Sequence, residues 1–377
     1  MIAARHVSNV RPSTAHDHQG TVHVVLPGGV DDPARPSGGN SYDRRICQGL
    51  LALGWSVQQH VVPGPWPTPD AAARGTLTGV IAGIPDRAVV LLDGLIASTV
   101  PDVLVPQALR LRLVVLVHMP IGLDGEIDGS LVDGGVTAAR ERAVLSAASA
   151  VVTTSEWTRD LLLAQYSLRP DRLRVAEPGV APADRATGTA AGGELLCVAA
   201  VAPHKGHDVL FGALATIADL RWHCVCVGSL HRDPGFVEAL VRQARGAGID
   251  DRVSIVGPRI GADLDVAYAG ADLLVLASRA ETYGMVVTEA LARGIPVAAT
   301  AVGGLPTAIG RGADGSLPGL LVPPGDAPAL GAALRRWLCE PDLRQQLRRA
   351  AAERRMTLSD WSATADRISQ VLTEVAR

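Results

Sequence analysis

Lys205 is the only lysine among 377 residues, and it stands in VAPHKGHDVL, between an apolar run and a segment of helical period. Lys and Arg together number 35, so every other fixed cation is an arginine. A genome rich in G and C explains why lysines are few, but not why the survivor sits at a strand-to-helix junction. A point-like ammonium beside phosphate does explain it, since a planar guanidinium fork has a different geometry and hydration. Two carboxylates, Glu281 and Glu289, share a second junction in SRAETYGMVVTEALARGIPV, with Gly284 between them. Glu281 then precedes a helix and Glu289 lies about a turn inside it. A third junction is SGGNSYD, where Gly38 and Gly39 precede a long helical segment. Glycine at such places lets backbone N–H groups approach an anion, and the helix N-terminus adds favourable dipole charge. Taken singly, each glycine reads as a tight turn and each glutamate as a cap or first-turn acid. No GxGxxG or Walker pattern is present. His118 ends the apolar run RLVVLVH and precedes Met119-Pro120. A lone histidine there is a hydrogen-bonded structural residue or, from its place at a strand's carboxyl end, a site residue.

The elements that must position these groups follow from the hydrophobic pattern. TVHVVL (21–26), WSVQQHVV (55–62), AVVLLD (88–93), RLVVLVH (112–118) and AVVTTS (150–155) read as strands. DRRICQGLLALG (43–54) and AARERAVLSAAS (138–149) carry apolar residues three and four apart, as surface helices do. Residues 181–193, APADRATGTAAGG, are small, turn-forming and aperiodic, and read as a linker. The alternation then restarts with ELLCVAAV, RWHCVCVG, RVSIVG, DLLVLAS, PVAAT and GLLV. Two blocks of this kind predict an α/β protein with two doubly wound parallel sheets, and ligands then bind beyond the carboxyl ends of the strands. The expected organisation is a flexible N-terminal tail over 1–20, a first domain over 21–185 and a second over 186–377. The last helix, about 360–377, is placed to pack back on the first domain.

Composition narrows the function classes. A 47% hydrophobic, 19% charged chain with formal net charge -3 is globular and offers no basic surface for nucleic acid or anionic membrane. No apolar run reaches the roughly 18 residues of a membrane span. The first twenty residues lack the apolar centre of a secretory signal. Cys47, Cys197, Cys224, Cys226 and Cys339 are scattered, and Cys224 and Cys226 alternate within WHCVCVG as buried strand residues do. Their spacing does not suit zinc, so reduced thiols in a cytoplasmic protein are expected.

The block SRAETYGMVVTEALARGIPV resembles the Glu-x7-Glu motif of the retaining GT-B glycosyltransferases of family 4, the glycosyl transferases group 1. SGGNSYDRRICQGLLALGWSV, LVHMP, EPGV, HKGHDVL, SIVGPRIGADLDVAYAGADLLVLAS, AVGGLP and PGLLVPPGD follow in the family's order, over roughly residues 21–340. The resemblance implies the GT-B fold: a Rossmann-like acceptor-side domain facing a Rossmann-like nucleotide-sugar-binding domain across a cleft. The implied activity transfers a hexose or N-acetylhexosamine, with retention, from a nucleotide sugar, UDP-linked by expectation, to a hydroxyl of a small-molecule or lipid-linked acceptor. Lys205 would stabilise charge on the leaving diphosphate. Glu281 would lie against the transferred sugar, and His118 would face that sugar or its acceptor. Glu289 would accept hydrogen bonds from ribose. Tyr283, Gly284, Met285 and Val286 would hold the diphosphate, Val256, Gly257 and Arg259 would line the base, and Gly38 and Gly39 would approach from the first domain.

Two positions depart from the family pattern. Ala200 stands where an arginine five residues before the lysine is common, leaving His204, Arg259 or Arg279 as replacement cations. Thr307 stands where a glutamate is usual. Asp263 and Asp265 form an Asp-x-Asp pair that reads as a helix start, and neither a metal nor a cofactor beyond the nucleotide-sugar donor is expected. Asp93 and Asp124 are candidates for touching acceptor hydroxyls or for loop and cap roles. Nothing in the sequence reports oligomeric state. A nucleotide-sugar epimerase of the same fold, or a non-catalytic sugar-nucleotide binder, is the alternative reading.

Overall fold

The structure, a computed structural model, describes residues 19–30, 32, 36–122, 126–127, 130–131 and 134–377. Nearly all of the expected N-terminal tail, and Asp124, lie outside them.

In the first half, β1 (Thr21–Pro27), α1 (Gly38–Ala52), β2 (Ser56–Val62), α2 (Ala71–Gly83), β3 (Val89–Asp93), α3 (Gly94–Ala97), α4 (Pro101–Gln107) and β4 (Arg112–Val117) follow in order. A short antiparallel pair, β5 (Glu126–Ile127) and β6 (Ser130–Leu131), precedes α5 (Gly134–Ala147), β7 (Ala150–Thr153), α6 (Glu156–Tyr166) and β8 (Leu173–Val175). The second half runs β9 (Glu194–Val198), α7 (His207–Ala215), β10 (His223–Val227), α8 (Pro234–Gly246), β11 (Val253–Ile255), α9 (Ala262–Ala269) and β12 (Leu273–Leu276). It continues through α10 (Met285–Ala292), β13 (Val297–Thr300), α11 (Leu305–Ile309), β14 (Gly319–Val322), α12 (Ala327–Cys339), α13 (Pro341–Arg355) and α14 (Trp361–Ala376).

Two parallel six-stranded sheets result, ordered β2-β1-β3-β4-β7-β8 and β11-β10-β9-β12-β13-β14. Their central strands are continuous Val, Leu and Ala runs, as strands covered by helices on both faces require. The order reverses between β1 and β3 in the first sheet and between β9 and β12 in the second, which opens a crevice at each carboxyl edge. Lys205 follows β9 and Glu281 follows β12, so both belong to the switch point of the second sheet. This architecture is the GT-B fold.

Some boundaries differ from expectation. The first long helix begins at Gly38, not 43, because Ser37 caps it by accepting from the Asn40 N–H at 3.1 Å. Gly38 and Gly39 therefore form its first turn. β8 was not among the expected strands: at three residues it is too short to show alternation, and its pairing with β7 comes from tertiary context.

The final helix belongs to the first sheet's layer. Ile368, Val371 and Leu372 of α14 are buried with Val22, Val24 and Leu91, and Trp55 donates through Nε1 to Ser369 Oγ at 2.9 Å. Among the described residues, no helix is long and apolar enough to cross a membrane.

Candidate functional site

Lys205 ends a 3-10 turn, Pro203–Lys205, and Gly206 reverses the chain into α7 with φ +68°. A Cβ at Gly206 would fall 1.9 Å from the Ala277 carbonyl oxygen, so only glycine lets this turn press against the end of β12. The docking is completed by the Arg279 N–H, which donates to the His204 carbonyl at 2.8 Å. Lys205 Nζ then reaches Glu281 Oε2 at 2.7 Å, with both side chains about one-fifth exposed. The backbone under Glu281 is held in turn by the Gly304 N–H, from the AVGGLP segment, at 3.0 Å. Lys205 and Glu281, inferred separately from the sequence, are thus a single ion pair at the switch point.

Glu289 lies one turn into α10 and accepts a hydrogen bond from the Tyr268 hydroxyl at 2.8 Å. Burial raises its carboxyl, while that hydrogen bond and Arg293 pull it back toward the charged form. Arg293 stacks 4.4 Å over the Tyr268 ring, donates to the Glu289 carbonyl at 2.9 Å and pairs with Asp265. Tyr268 and Arg293 were not read from the sequence as site residues. The signal was available in the spacing, since Arg293 is four residues beyond Glu289 on one helical face. Glu289 lines a cavity of about 1180 Å³ between the two sheets. Arg44, Arg45, Arg185, Arg259, Arg293 and Arg355 line it against three carboxylates, giving a positive field suited to an anionic ligand. A neighbouring cavity of about 900 Å³ carries Trp66, Leu95, Met119, His204, Arg232 and Phe236 on its walls. Ala280 lines the smaller cavity and Met285 the larger, so the Glu281–Gly284 turn lies between them.

The other expected residues are distributed as follows. Gly284 caps α10 at φ +95°, Tyr283 is buried beside it, and Met285 and Val286 open the helix. Arg259 lines the larger cavity. Val256 and Gly257 make backbone bonds to Cys226 and Gly228 at the end of β10, and the Val256 side chain is exposed. Gly38 approaches Met285 across the cleft: a Cβ there would lie 3.4 Å from its Sδ. Of the cations offered as a replacement at Ala200, Arg279 is engaged with both oxygens of Asp208, at 2.8 and 2.6 Å. Thr307 is exposed on α11. Asp263 and Asp265 stand in the first turn of α9.

His118 follows β4 and places Nε2 2.8 Å from Asp43 Oδ1. Asp43 comes from α1 and Asp93 from the end of β3, where its Oδ1 caps α3 through the Leu95 N–H at 2.7 Å. Asp93 is 5% exposed, so it supports His118 from below and does not reach out to an acceptor. Burial pulls the His118 imidazole down, but Asp43 and Asp93 outweigh it and raise it to about 9. The stretch after His118 is pinned by Glu141, a fully buried carboxylate on α5. It accepts from the Ile121 and Gly122 N–H groups at 3.1 and 3.0 Å, from Ser98 Oγ at 2.9 Å and from the Tyr166 hydroxyl at 2.7 Å.

Among the described residues, two side-chain sets bring three potential metal-ligand atoms within 4.8 Å of one another. In the Asp43, Asp93 and His118 set, Asp43 Oδ1 is engaged with His118 Nε2 and Asp93 Oδ1 with the α3 cap. The second, Cys197, His207 and Cys226, brings a histidine to the strand cysteines, which their spacing alone did not show: His207 Nε2 lies 3.8 Å from Cys197 Sγ. A hydrogen bond with Cys226 and burial hold the Cys197 thiol well above its ordinary value, which favours a packed, protonated cluster.

Residues 191–354 match the family model described as Glycosyl transferases group 1. A D-inositol 3-phosphate glycosyltransferase 1 from Catenulispora acidiphila is 34% identical over 270 residues, covering 66% of this chain and 62% of that protein. A D-inositol 3-phosphate glycosyltransferase from Saccharomonospora viridis is 31% identical over 264 residues, covering 62% and 57%. The chain thus spans about six-tenths of the length of these relatives. Among solved structures, a sucrose-phosphate synthase from Thermosynechococcus elongatus superposes with TM-score 0.73 at 23% identity, covering 92% of this chain and 97% of that one. Anabaena HepE, in complex with UDP and glucose, superposes with TM-score 0.71 at 18% identity, covering 93% and 99%. These likenesses carry the fold; the second half also carries the glycosyl transferases group 1 pattern.

Proposed function

We propose that the chain is a retaining glycosyltransferase of family 4. It moves a hexose or N-acetylhexosamine from a nucleotide sugar, UDP-linked, to a hydroxyl of a small-molecule or lipid-linked acceptor. The Lys205–Glu281 pair at the switch point carries the reading, because it sets one compact cation and one carboxylate beside the N-terminus of α10. The diphosphate lies at that N-terminus, where backbone N–H groups and the helix dipole favour anions. Lys205 leaves Glu281 for the diphosphate as negative charge develops on the leaving group, and Glu281 is freed to meet the transferred sugar. Glu289 takes the ribose hydroxyls, oriented by Tyr268. Retention follows from attack on the face the leaving group departs, with a phosphate oxygen receiving the acceptor's proton. No protein general base is then required. No metal enters the scheme, since Arg293 engages Asp265 of the Asp-x-Asp pair. The names of the relatives are consistent with a polyhydroxylated small-molecule acceptor.

A thermal-shift screen of nucleotides and nucleotide sugars tests the donor half. A ligand present at 100 times its dissociation constant and bound to the folded state alone stabilises it by about 2.7 kcal/mol. UDP and one UDP-sugar are expected to raise the unfolding temperature. Glu289→Ala is expected to weaken UDP by about 1.5–3 kcal/mol, the loss typical of charge-assisted hydrogen bonds. Intact UDP affinity in that variant removes Glu289 from the site. Ala200 favours a second reading, a non-catalytic sugar-nucleotide binder, which would bind UDP and turn over with no acceptor.

A further inference from the structure

We infer that Asp43 and Asp93 form a buried positioning pair that holds His118 as an imidazolium, so that the first domain contributes a fixed cation to the cleft opposite Lys205. The inference rests on the glycosyltransferase reading for its consequence, but on this chain's own geometry for its substance. Asp43 lies on the buried stripe of α1, with Tyr42, Ile46, Cys47 and Leu50, and its side chain is 1% exposed. A carboxylate there is costly unless it is paired. Its Oδ1 meets His118 Nε2, and its Oδ2 is buried with no conventional hydrogen-bond partner. Asp93 lies within side-chain hydrogen-bonding reach of Asp43, and a proton shared between the two carboxyls would satisfy that oxygen.

Two buried carboxyls this close disfavour each other's ionised form. Burial and the charge of Asp43 raise Asp93 to about 7, and the two carboxyls together favour a protonated His118. The surroundings allow it. On α1 the imidazole faces Asp43 and the edge of the Tyr42 ring, at 5.2 Å between centroids, and Cys47 lies near Asp43 with its thiol raised to about 12 by burial. Asp93 approaches from β3. Beyond Tyr42 stand Tyr283 from the second domain and Arg367 from α14. Asp43 and Asp93 are the carboxylates that act on the ring among the described residues.

The ring lies over the first turn of α1: a Cβ on Gly39 would come to 3.3 Å of its Cδ2. The adjoining Gly38 meets Met285, the first residue of α10. His118 is therefore two contacts from the helix start where the diphosphate is proposed to lie, on the wall opposite Lys205. A cation at this point compensates for Ala200, where the family's second cation is absent.

Side-chain labelled histidine NMR on the full chain, with His118→Gln identifying the resonance, tests the charge without reference to activity. In the wild type, His118 is expected to stay protonated until the pH rises through about 9. Asp43→Asn is expected to lower that midpoint by about two pH units, the effect of removing an adjacent opposite charge. Asp93→Asn is expected to lower it by less than Asp43→Asn does, because Asp43 is the stronger influence and keeps its contact with the ring at 2.8 Å. Turnover at pH 8 should fall about tenfold in Asp43→Asn, because a midpoint lowered by two units from about 9 leaves about a tenth of the imidazole protonated there. A wild-type His118 that titrates near 6.5, or a midpoint indifferent to Asp43→Asn, overturns the inference. A chain that shows the high midpoint but no turnover with any donor overturns the glycosyltransferase reading instead.

Discussion

Lys205→Ala is expected to lower turnover by about 10²–10³-fold while leaving UDP binding measurable, the loss typical when one preorganised electrostatic donor is removed. The second domain carries no arginine at Ala200 to share the load, and Arg279 is committed to Asp208. Lys205 is the cation docked against the β12 edge by the Gly206 turn, so its charge is held and not sampled. The substitution also leaves Glu281 without its partner at 2.7 Å, in a side chain 17% exposed. Part of any effect could then come from a displaced Glu281, and the double variant Lys205→Ala/Glu281→Gln separates the two. If the loss is leaving-group charge, Lys205→Ala lowers turnover further than Glu281→Gln alone, and the double variant falls below both. Lys205→Arg keeps the charge but not the geometry, because a planar fork does not reproduce a point donor set 2.7 Å from Glu281 Oε2. Steady-state turnover within threefold of wild type in Lys205→Ala would remove this lysine from the mechanism.

Glu141→Ala is expected to destabilise the chain by about 3–5 kcal/mol, the scale on which removing one partner of a buried charged network acts. Four donors converge on this carboxylate, from the α3 cap, the stretch after His118 and the end of α6. Alanine leaves them all buried and unpartnered, and an unsatisfied buried donor costs about 1–3 kcal/mol. Glu141→Gln should cost less. Its oxygen still serves Ser98 and Ile121, and the Tyr166 hydroxyl can turn to accept, but the Gly122 N–H then meets a donor. Denaturant unfolding that shows Glu141→Ala within about 1 kcal/mol of wild type would mean that the His118 segment is held some other way.

Much of the scaffold was legible because parallel sheets advertise themselves. Runs such as AVVLLD and DLLVLAS are bounded by polar turns and too short to be helices, and their order encodes the doubly wound topology. The departures have local causes. α1 starts five residues before its apolar stripe becomes visible, since Ser37 supplies the cap and two glycines fill the first turn. Lys205, Glu281 and Glu289 could be picked out by type and junction, but their relations could not. That Lys205 and Glu281 pair, and that Tyr268 holds Glu289, depend on which strands become neighbours. Asp43 was the most readable omission: a carboxylate at the apolar face of an amphipathic helix must have a buried partner. The cluster Cys197, His207 and Cys226 was hidden because its members come together only through the β9–β10 register.

The measurement that bears most directly on the proposed function is anomeric proton NMR of a reaction containing the chain, a UDP-sugar chosen by thermal shift, and a panel of polyhydroxylated small-molecule and lipid-linked acceptors. The expected result is release of UDP together with a new glycoside whose anomeric coupling matches that of the donor sugar, lost in Lys205→Ala. A product of opposite anomeric configuration would contradict retention. An epimerised nucleotide sugar formed without acceptor, or no consumption of any donor that binds, would contradict the transfer itself.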